Sequence, residues 1–345
     1  MQHAELSSPP DIFRRGLRLG VVSIAFMVAT VHAQTVAPIL IEFSHVVKPD
    51  TPKGKAAQRF KELAESRTAG RVRVEIHPDS RLYKDREELD ALRRGAVQIL
   101  APSLSKLAGV GGGDMEVFDL PFLFKDQAAF RAVTQGPVGT AMLRKLEKNG
   151  ILGLAYWENG FKVFTANRAL NDPRDVRGLR VRVQASRVLV AQMNVLGARS
   201  SVSPLIDVRA ALRHGELDGQ ENTPSNIYTQ KLHEAQTHLT VTKHGYLGYA
   251  VIINQRFWLG LPAGIRATLE GAMRDATTYA NQIAEAENIE ALRLIAASGR
   301  IAVSKPTVQE LERWRDAMAP TYSATSSWIN ADTLAAVKQA AGAPP

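Results

Sequence analysis

The feature that most constrains this 345-residue chain is a run in its last third, from Gly264 to Ser298. Ile265, Leu269, Ala276, Ala280, Ile283, Leu292 and Ile295 recur there at near-helical spacing, and no Gly or Pro falls between Gly271 and Gly299. A helix of about 30 residues spans about 45 Å. That is longer than one small domain needs. The run therefore predicts one helix bridging two lobes, or two helices broken near Glu287. The chain length agrees, since at about 100–200 residues per domain it suggests two domains or one large one.

Upstream, strand and helix patterns alternate. Ile39–Phe43 is a short apolar strand. Asp50-Thr51-Pro52 is a helix start, a capping residue followed by Pro in the first turn, and Gly70 ends that helix. Val72, Val74 and Ile76 alternate with Arg73 and Glu75, the period of a strand. Asp85–Arg94 predicts a helix stopped by Gly95, and Val97–Ala101, Ile151–Tyr156 and Leu179–Val183 predict further strands. This order implies an α/β fold with mixed or parallel sheets. Gly109–Gly113 reads as the most flexible segment.

Composition then excludes function classes. With no cysteine, the chain has no disulfide, thiolate metal site, iron–sulfur cluster or cysteine nucleophile. The formal charge of +9 first suggests an anionic partner. The basic residues are scattered, however, and aromatics are 6% of the chain, so the clustered charge and stacking rings of a nucleic-acid binder are missing. Residues 1–33 have the form of an export signal. Arg14, Arg15 and Arg18 form a basic start to a stretch that is mostly apolar over Leu17–Val31, and Val31-His32-Ala33 offers a cleavage site. The alternative is an uncleaved anchor. Cleavage leaves a net charge of +8, because three Arg, one Asp and one Glu are removed. The mature chain is expected to be soluble and exported to the periplasm.

No catalytic signature stands out. His233 and His238 are five residues apart, whereas a helical metalloprotease pair needs four. The Gly109–Gly113 run lacks the Lys-Ser/Thr of a phosphate loop, and no G-x-S-x-G elbow occurs. The expectation is a non-enzyme with no cofactor and no metal.

Nine segments, in order, resemble the solute-binding proteins of TRAP transporters, in their DctP-like, C4-dicarboxylate-binding branch. They are Phe43–Val47 with Asp50–Gly54, Leu82–Leu89, Ala101–Lys106, Val117–Phe124, Tyr156–Lys162, Gly178–Gln184, Leu217–Asn222, Ser225–Tyr228 and His244–Tyr249. The resemblance implies two α/β lobes around a ligand cleft with a long helix across both: lobe I from 34–158 plus about 248–285, lobe II from 159–247 plus about 286–340. It also implies a receptor, expected to act as a monomer, that delivers a carboxylate to a membrane permease. An orphan sensory subunit serving a membrane kinase, or a receptor for a keto, aromatic or sugar acid, are the alternatives.

Residue by residue, the resemblance puts the carboxylate on Arg182. A guanidinium offers paired N–H donors and a permanent charge. Strand spacing alone cannot choose between Arg180 and Arg182, which share a face. Asn222 closes Asp218-Gly-Gln-Glu-Asn222 and supplies an amide. Lys162 and Lys106 are candidate cations for a dianion. Ser103, His45 and Tyr246 are candidates for hydroxyl or imidazole contacts. The sequence departs from the family's pattern at Leu205 and Arg209, where relatives often carry aromatic residues.

Overall fold

The computed structural model describes residues 37–342, so the predicted signal 1–33 lies outside the described residues. Eleven strands form two sheets. β1 (Ile39–Ser44), β2 (Val72–His77), β3 (Ile99–Leu100), β4 (Ile151–Phe161) and β10 (Tyr246–Asn254) build the first, in the order β2-β1-β3-β10-β4. β5 (Val163–Ala166), β6 (Arg180–Val183), β7 (Arg199–Val202), β8 (Gly219–Asn222), β9 (His238–Thr240) and β11 (Ala302–Ser304) build the second, in the order β11-β9-β5-β8-β6-β7. Both sheets are mixed. In the first, β1 runs parallel to β2 and β3 while β10 is antiparallel to β3 and β4; in the second, β6 runs parallel to β7 and β8 while β5 is antiparallel to β8 and β9.

Two of the crossings between the sheets run strand to strand, side by side. Lys162 separates β4 from β5, and residues 241–245 lead from β9 back to β10. The Lys162 N–H donates to the Gly245 carbonyl at 2.8 Å, tying the two crossings together. The C-terminal helix Ala331–Ala341 packs on the helices of residues 127–144 beside the first sheet, with Val337 and Ala341 in the cluster that holds Phe118 and Phe130. The boundary expected from sequence had placed this helix with the second lobe. Nothing in the pattern of an amphipathic helix names the surface it will cover.

The long helix runs unbroken from Ala263 to Ala297. Ile265, Leu269, Met273, Ala276 and Ala280 enter the core that β1 and helix α1 (Pro52–Arg67) share. Ile295 lies in a different core with Val163, Ile227 and Leu239 of the second sheet's side. No break occurs near Glu287, because Asn281 and Asn288 fasten the middle of the helix to the end of β4. The Glu158 N–H donates to Asn281 Oδ1 at 2.9 Å, and Asn288 Nδ2 donates to the Asn159 carbonyl at 2.8 Å.

Local signals are realised. Thr51 caps α1, accepting from the Gly54 N–H at 3.1 Å, with Pro52 at the first position. In β1, Ile41 and Phe43 are buried and Leu40 faces out. The predicted helix Asp85–Arg94 shortens to Glu88–Arg93, because Asp85 is drawn to Lys106 instead. Gly109–Gly113 spans the junction of two 3-10 segments, Leu104–Val110 and Gly113–Asp119, with Gly109 and Gly111 exposed and Gly112 buried. Gly111 has φ +90°, and a Cβ on Gly112 would come within 2.7 Å of the Leu107 Cβ, so glycine is required at both positions.

Candidate ligand-binding site

Between the two sheets lies a small cavity with room for about one or two waters. Its first wall comes from Val46, Val47 and Lys53 after β1, from Asp85, from Ser103 and Lys106 after β3, and from Leu247 and Tyr249 on β10. Its second wall comes from Arg182 and Gln184 at the end of β6, Leu205, Asn222 at the end of β8, and Asn226. Strand ends from both sheets thus converge on one point. That is where α/β folds place ligands, because backbone and side-chain polar groups are freed there from the sheet.

Arg182 is 1% exposed. Its Nε and Nη2 both donate to the Ser203 carbonyl, at 3.0 and 2.9 Å, which fixes the guanidinium plane. Five N–H donors are available and two are used. No carboxylate lies within salt-bridge distance of it among the described residues. Burial lowers its pKa and Asp85 and Glu221 raise it. A guanidinium keeps its charge through such a shift. Arg180, two residues earlier, pairs with Asp218 at 2.7 Å on the surface.

Asn222 Oδ1 accepts from Asn226 Nδ2 and from the Thr223 N–H, both at 2.9 Å. Both amide N–H donors of Asn222 remain for another partner. Ser103 Oγ, Gln184 Nε2 and Asn226 Oδ1 are buried without a hydrogen-bond partner, and all three residues line the cavity. Orphaned buried polar groups are costly, and here they cluster around one space.

Lys106 pairs with Asp85 and lies 3.5 Å from Glu88. Burial pushes its pKa down, but the two carboxylates outweigh that and hold it raised. Burial pushes Asp85 up, yet Lys106 and Arg182 hold it at about 2. Asp85 also accepts from the Leu205 N–H at 3.0 Å. Its neighbours extend this contact: Arg86 Nη2 donates to the Val202 carbonyl at 2.9 Å, and Lys84 lies 3.3 Å from Asp207. Three consecutive residues of one wall therefore clasp residues 202–207 of the other.

Of the seven residues singled out from sequence, Arg182, Asn222, Lys106 and Ser103 meet at this cavity. Lys162, His45 and Tyr246 do not line it. Lys162 is fully buried at the crossing strands, 2.6 Å from Glu221 and 3.8 Å from Asp119. His244 completes that group, 3.7 Å from Glu221 and stacked on Phe164. His45 is buried edge-on to Phe43, and burial and Lys53 hold its pKa at about 3; it borders a separate surface hollow with Pro49 and Pro78. Tyr246 stacks on Phe130 and donates to Glu158 at 3.0 Å. Lys162 and Tyr246 find their partners 59 and 88 residues away, so their roles could not be read from their own neighbours. Arg209 pairs with Glu234 outside the cavity. Leu205, flagged as a departure, is part of the wall.

The sequence reading missed Lys53, Asp85, Gln184, Asn226 and Tyr249. Lys53 sat in the noted helix start, but a lysine in a first turn ordinarily points to water. No helix among the described residues is long and apolar enough to cross a membrane.

Comparison with known proteins gives a consistent result. The chain is 53% identical over 303 residues to the C4-dicarboxylate-binding periplasmic protein DctP of Rhodobacter capsulatus, covering 88% of this chain and 91% of that one. A TRAP periplasmic solute-binding protein from Shewanella oneidensis, solved with bound succinate, matches at a TM-score of 0.86 and 41% identity, covering 88% of this chain and all of that one. A TRAP periplasmic solute-binding protein from Pseudomonas aeruginosa, solved with bound L-malate, matches at a TM-score of 0.81 and 42% identity, covering 83% and 100%. The family model for DctP, bacterial extracellular solute-binding protein family 7, matches residues 43–327. With its two mixed sheets, bridging helix and charged cavity between them, the chain belongs to this DctP family of solute-binding proteins.

Proposed function

We propose that this chain is the periplasmic receptor of a TRAP-type transporter, binding a C4-dicarboxylate such as malate, succinate or fumarate and delivering it to a membrane permease. The observation that carries this reading is Arg182: a rigidly held, buried guanidinium with unused donors, on a cavity where Ser103 Oγ, Gln184 Nε2 and Asn226 Oδ1 also lack partners. In this reading Arg182 takes one ligand carboxylate as a charge-assisted, two-pronged contact. Asn222, Ser103, Gln184 and Asn226 hydrogen-bond the rest of the ligand, and Lys106 keeps the cavity's field positive. In this reading the free space between the walls is too small for a dicarboxylate as they stand. Ligand enters when the two walls part, and the clasp of residues 84–86 on 202–207 reforms around it.

The cavity offers binding groups and no paired nucleophile and base, which favours capture over turnover. The test is isothermal titration of the mature protein with succinate, L-malate, fumarate, galactonate and orotate. The reading expects the four-carbon diacids to bind tightest, and a protein that binds none of them overturns it. A sugar acid binding tightest would move the substrate class while keeping the receptor role. Export and cleavage after Ala33 are checked by mass spectrometry of the protein recovered from a periplasmic extract. Association with a permease is checked by reconstituted uptake.

A further inference from the structure

Lys53 sits in the first turn of α1, where the Thr51 cap and Pro52 fix the backbone. It is 1% exposed. Its Nζ donates to the Ala101 carbonyl at 2.9 Å and lies 3.9 Å from the centroid of the Tyr249 ring. No carboxylate lies within 4 Å of it among the described residues. The two acids nearby, Asp85 and Glu88, are engaged by Lys106. A buried ammonium without a counter-ion is one of the costliest arrangements in a protein, and a carbonyl and a ring face compensate it only in part. Arg182 is in the same condition on the opposite wall of the same cavity. The cavity thus holds two cations lacking an anion, one on each wall, and both line the same small space.

We propose that Lys53, and not Lys106, is the counter-ion of the ligand's second carboxylate, so that Lys53 makes this cavity select dicarboxylates over monocarboxylates. This rests on the carboxylate-receptor reading above.

The charge tally supports it. Arg182, Lys53 and Lys106 face Asp85 and Glu88, and burial pushes Glu88 toward its neutral form. With Lys53 protonated, the net charge lies between plus one and plus two, which a dianion completes. The groups that face Lys53 from the surrounding elements are Lys106, Glu88, Asp85, the neutral His45 and the Tyr249 ring. Burial, then Lys106, lowers its pKa to about 7, against the pull of Glu88 and Asp85. A carboxylate placed against it raises that value again. Above pH 7 the free protein holds Lys53 mostly neutral, so dicarboxylate binding draws in a proton; below pH 6 it is already charged and none is taken up.

The experiment is calorimetric titration of the full mature protein with succinate and with butyrate, in two buffers of different ionisation enthalpy, at pH 6 and pH 8. For a group titrating near 7, the protein takes up about 0.9 proton at pH 8 and about 0.1 at pH 6 on binding succinate; at pH 6 the free succinate that still carries a proton releases it on binding as the dianion, and that release, known from the ligand's own titration, is subtracted. Butyrate, held by Arg182 alone, takes up close to none. In Lys53→Met, succinate affinity falls by about 100-fold, the proton uptake disappears, and the ligand-free melting temperature stays level or rises because an unpaired buried charge is gone. Succinate binding to Lys53→Met at wild-type affinity, or no proton uptake by the wild type at pH 8, overturns the assignment. If Lys53→Met does not fold, the wild-type uptake decides alone. If the wild type binds no dicarboxylate, the receptor reading itself falls, and the two failures are distinguished.

Discussion

Lys162 offers the sharpest separation between a ligand-binding role and a structural one. It is fully buried, 2.6 Å from Glu221, where the two crossings between the sheets meet. Glu221 feels burial pushing its pKa up, but Lys162 and His244 outweigh it and hold the carboxylate ionised. Replacing Lys162 by Met leaves Glu221 as a buried charge without its cation. Breaking a buried pair in this way costs about 3–5 kcal/mol. At about 2.1 cal/mol/K per residue, roughly 300 ordered residues give an unfolding entropy near 0.6 kcal/mol/K, so the melting temperature falls by about 5–8 °C. Pairing Lys162→Met with Glu221→Gln removes both charges and recovers at least half of that loss, because the cost lies in the orphaned partner rather than in the missing attraction. Differential scanning calorimetry measures the first quantity. Succinate titration measures the second, and its dissociation constant moves less than about threefold. A Lys162→Met protein with an unchanged melting temperature and succinate affinity weakened tenfold or more would refute the reasoning and restore Lys162 as a ligand residue.

Other expectations follow from the same geometry. Arg182→Met removes the anchor of the first carboxylate and weakens dicarboxylate binding by at least about 100-fold, the scale of losing one partner of a buried charge pair, while circular dichroism stays native. Truncating the clasp in a Lys84→Ala, Arg86→Ala double variant leaves the fold intact and lowers affinity less than about tenfold, since exposed contacts of this kind contribute about 0.2–1 kcal/mol each; small-angle scattering of the ligand-free variant reports a larger radius than the wild type. Asp85 has its pKa depressed to about 2, so its stabilising contribution is complete above about pH 4 and is lost as pH falls toward 2. Asp85→Asn therefore flattens the acid limb of a stability-against-pH curve over that window. Gly54→Ala places a Cβ within 2.4 Å of the Pro49 carbonyl oxygen, a backbone atom that cannot swing aside, and lowers the melting temperature by several degrees.

The sequence by itself determined the local elements. Alternation of Val72, Val74 and Ile76, the Thr51-Pro52 start and the helical stripe from Ile265 to Ile295 each depend on neighbours a few residues apart, and backbone geometry reads such short-range patterns directly, although one helix or two remained open until Asn281 and Asn288 met the end of β4. The long helix even carried the two-lobed architecture, because its length had to be covered by two cores. Only the tertiary structure decided which charges face the ligand space. Arg180 and Arg182 share a strand face, yet Asp218 waits beside the first, while the second ends under the Ser203 carbonyl. Lys106 and Lys162 look like free cations in the sequence and are taken up by Asp85 and Glu221, 21 and 59 residues away. Lys53 looks like a surface lysine and is left without an acid. Whether a charge is spent on a partner or remains for a ligand depends on what burial brings within 4 Å, and that distance is set by the packing of two sheets, not by spacing along the chain.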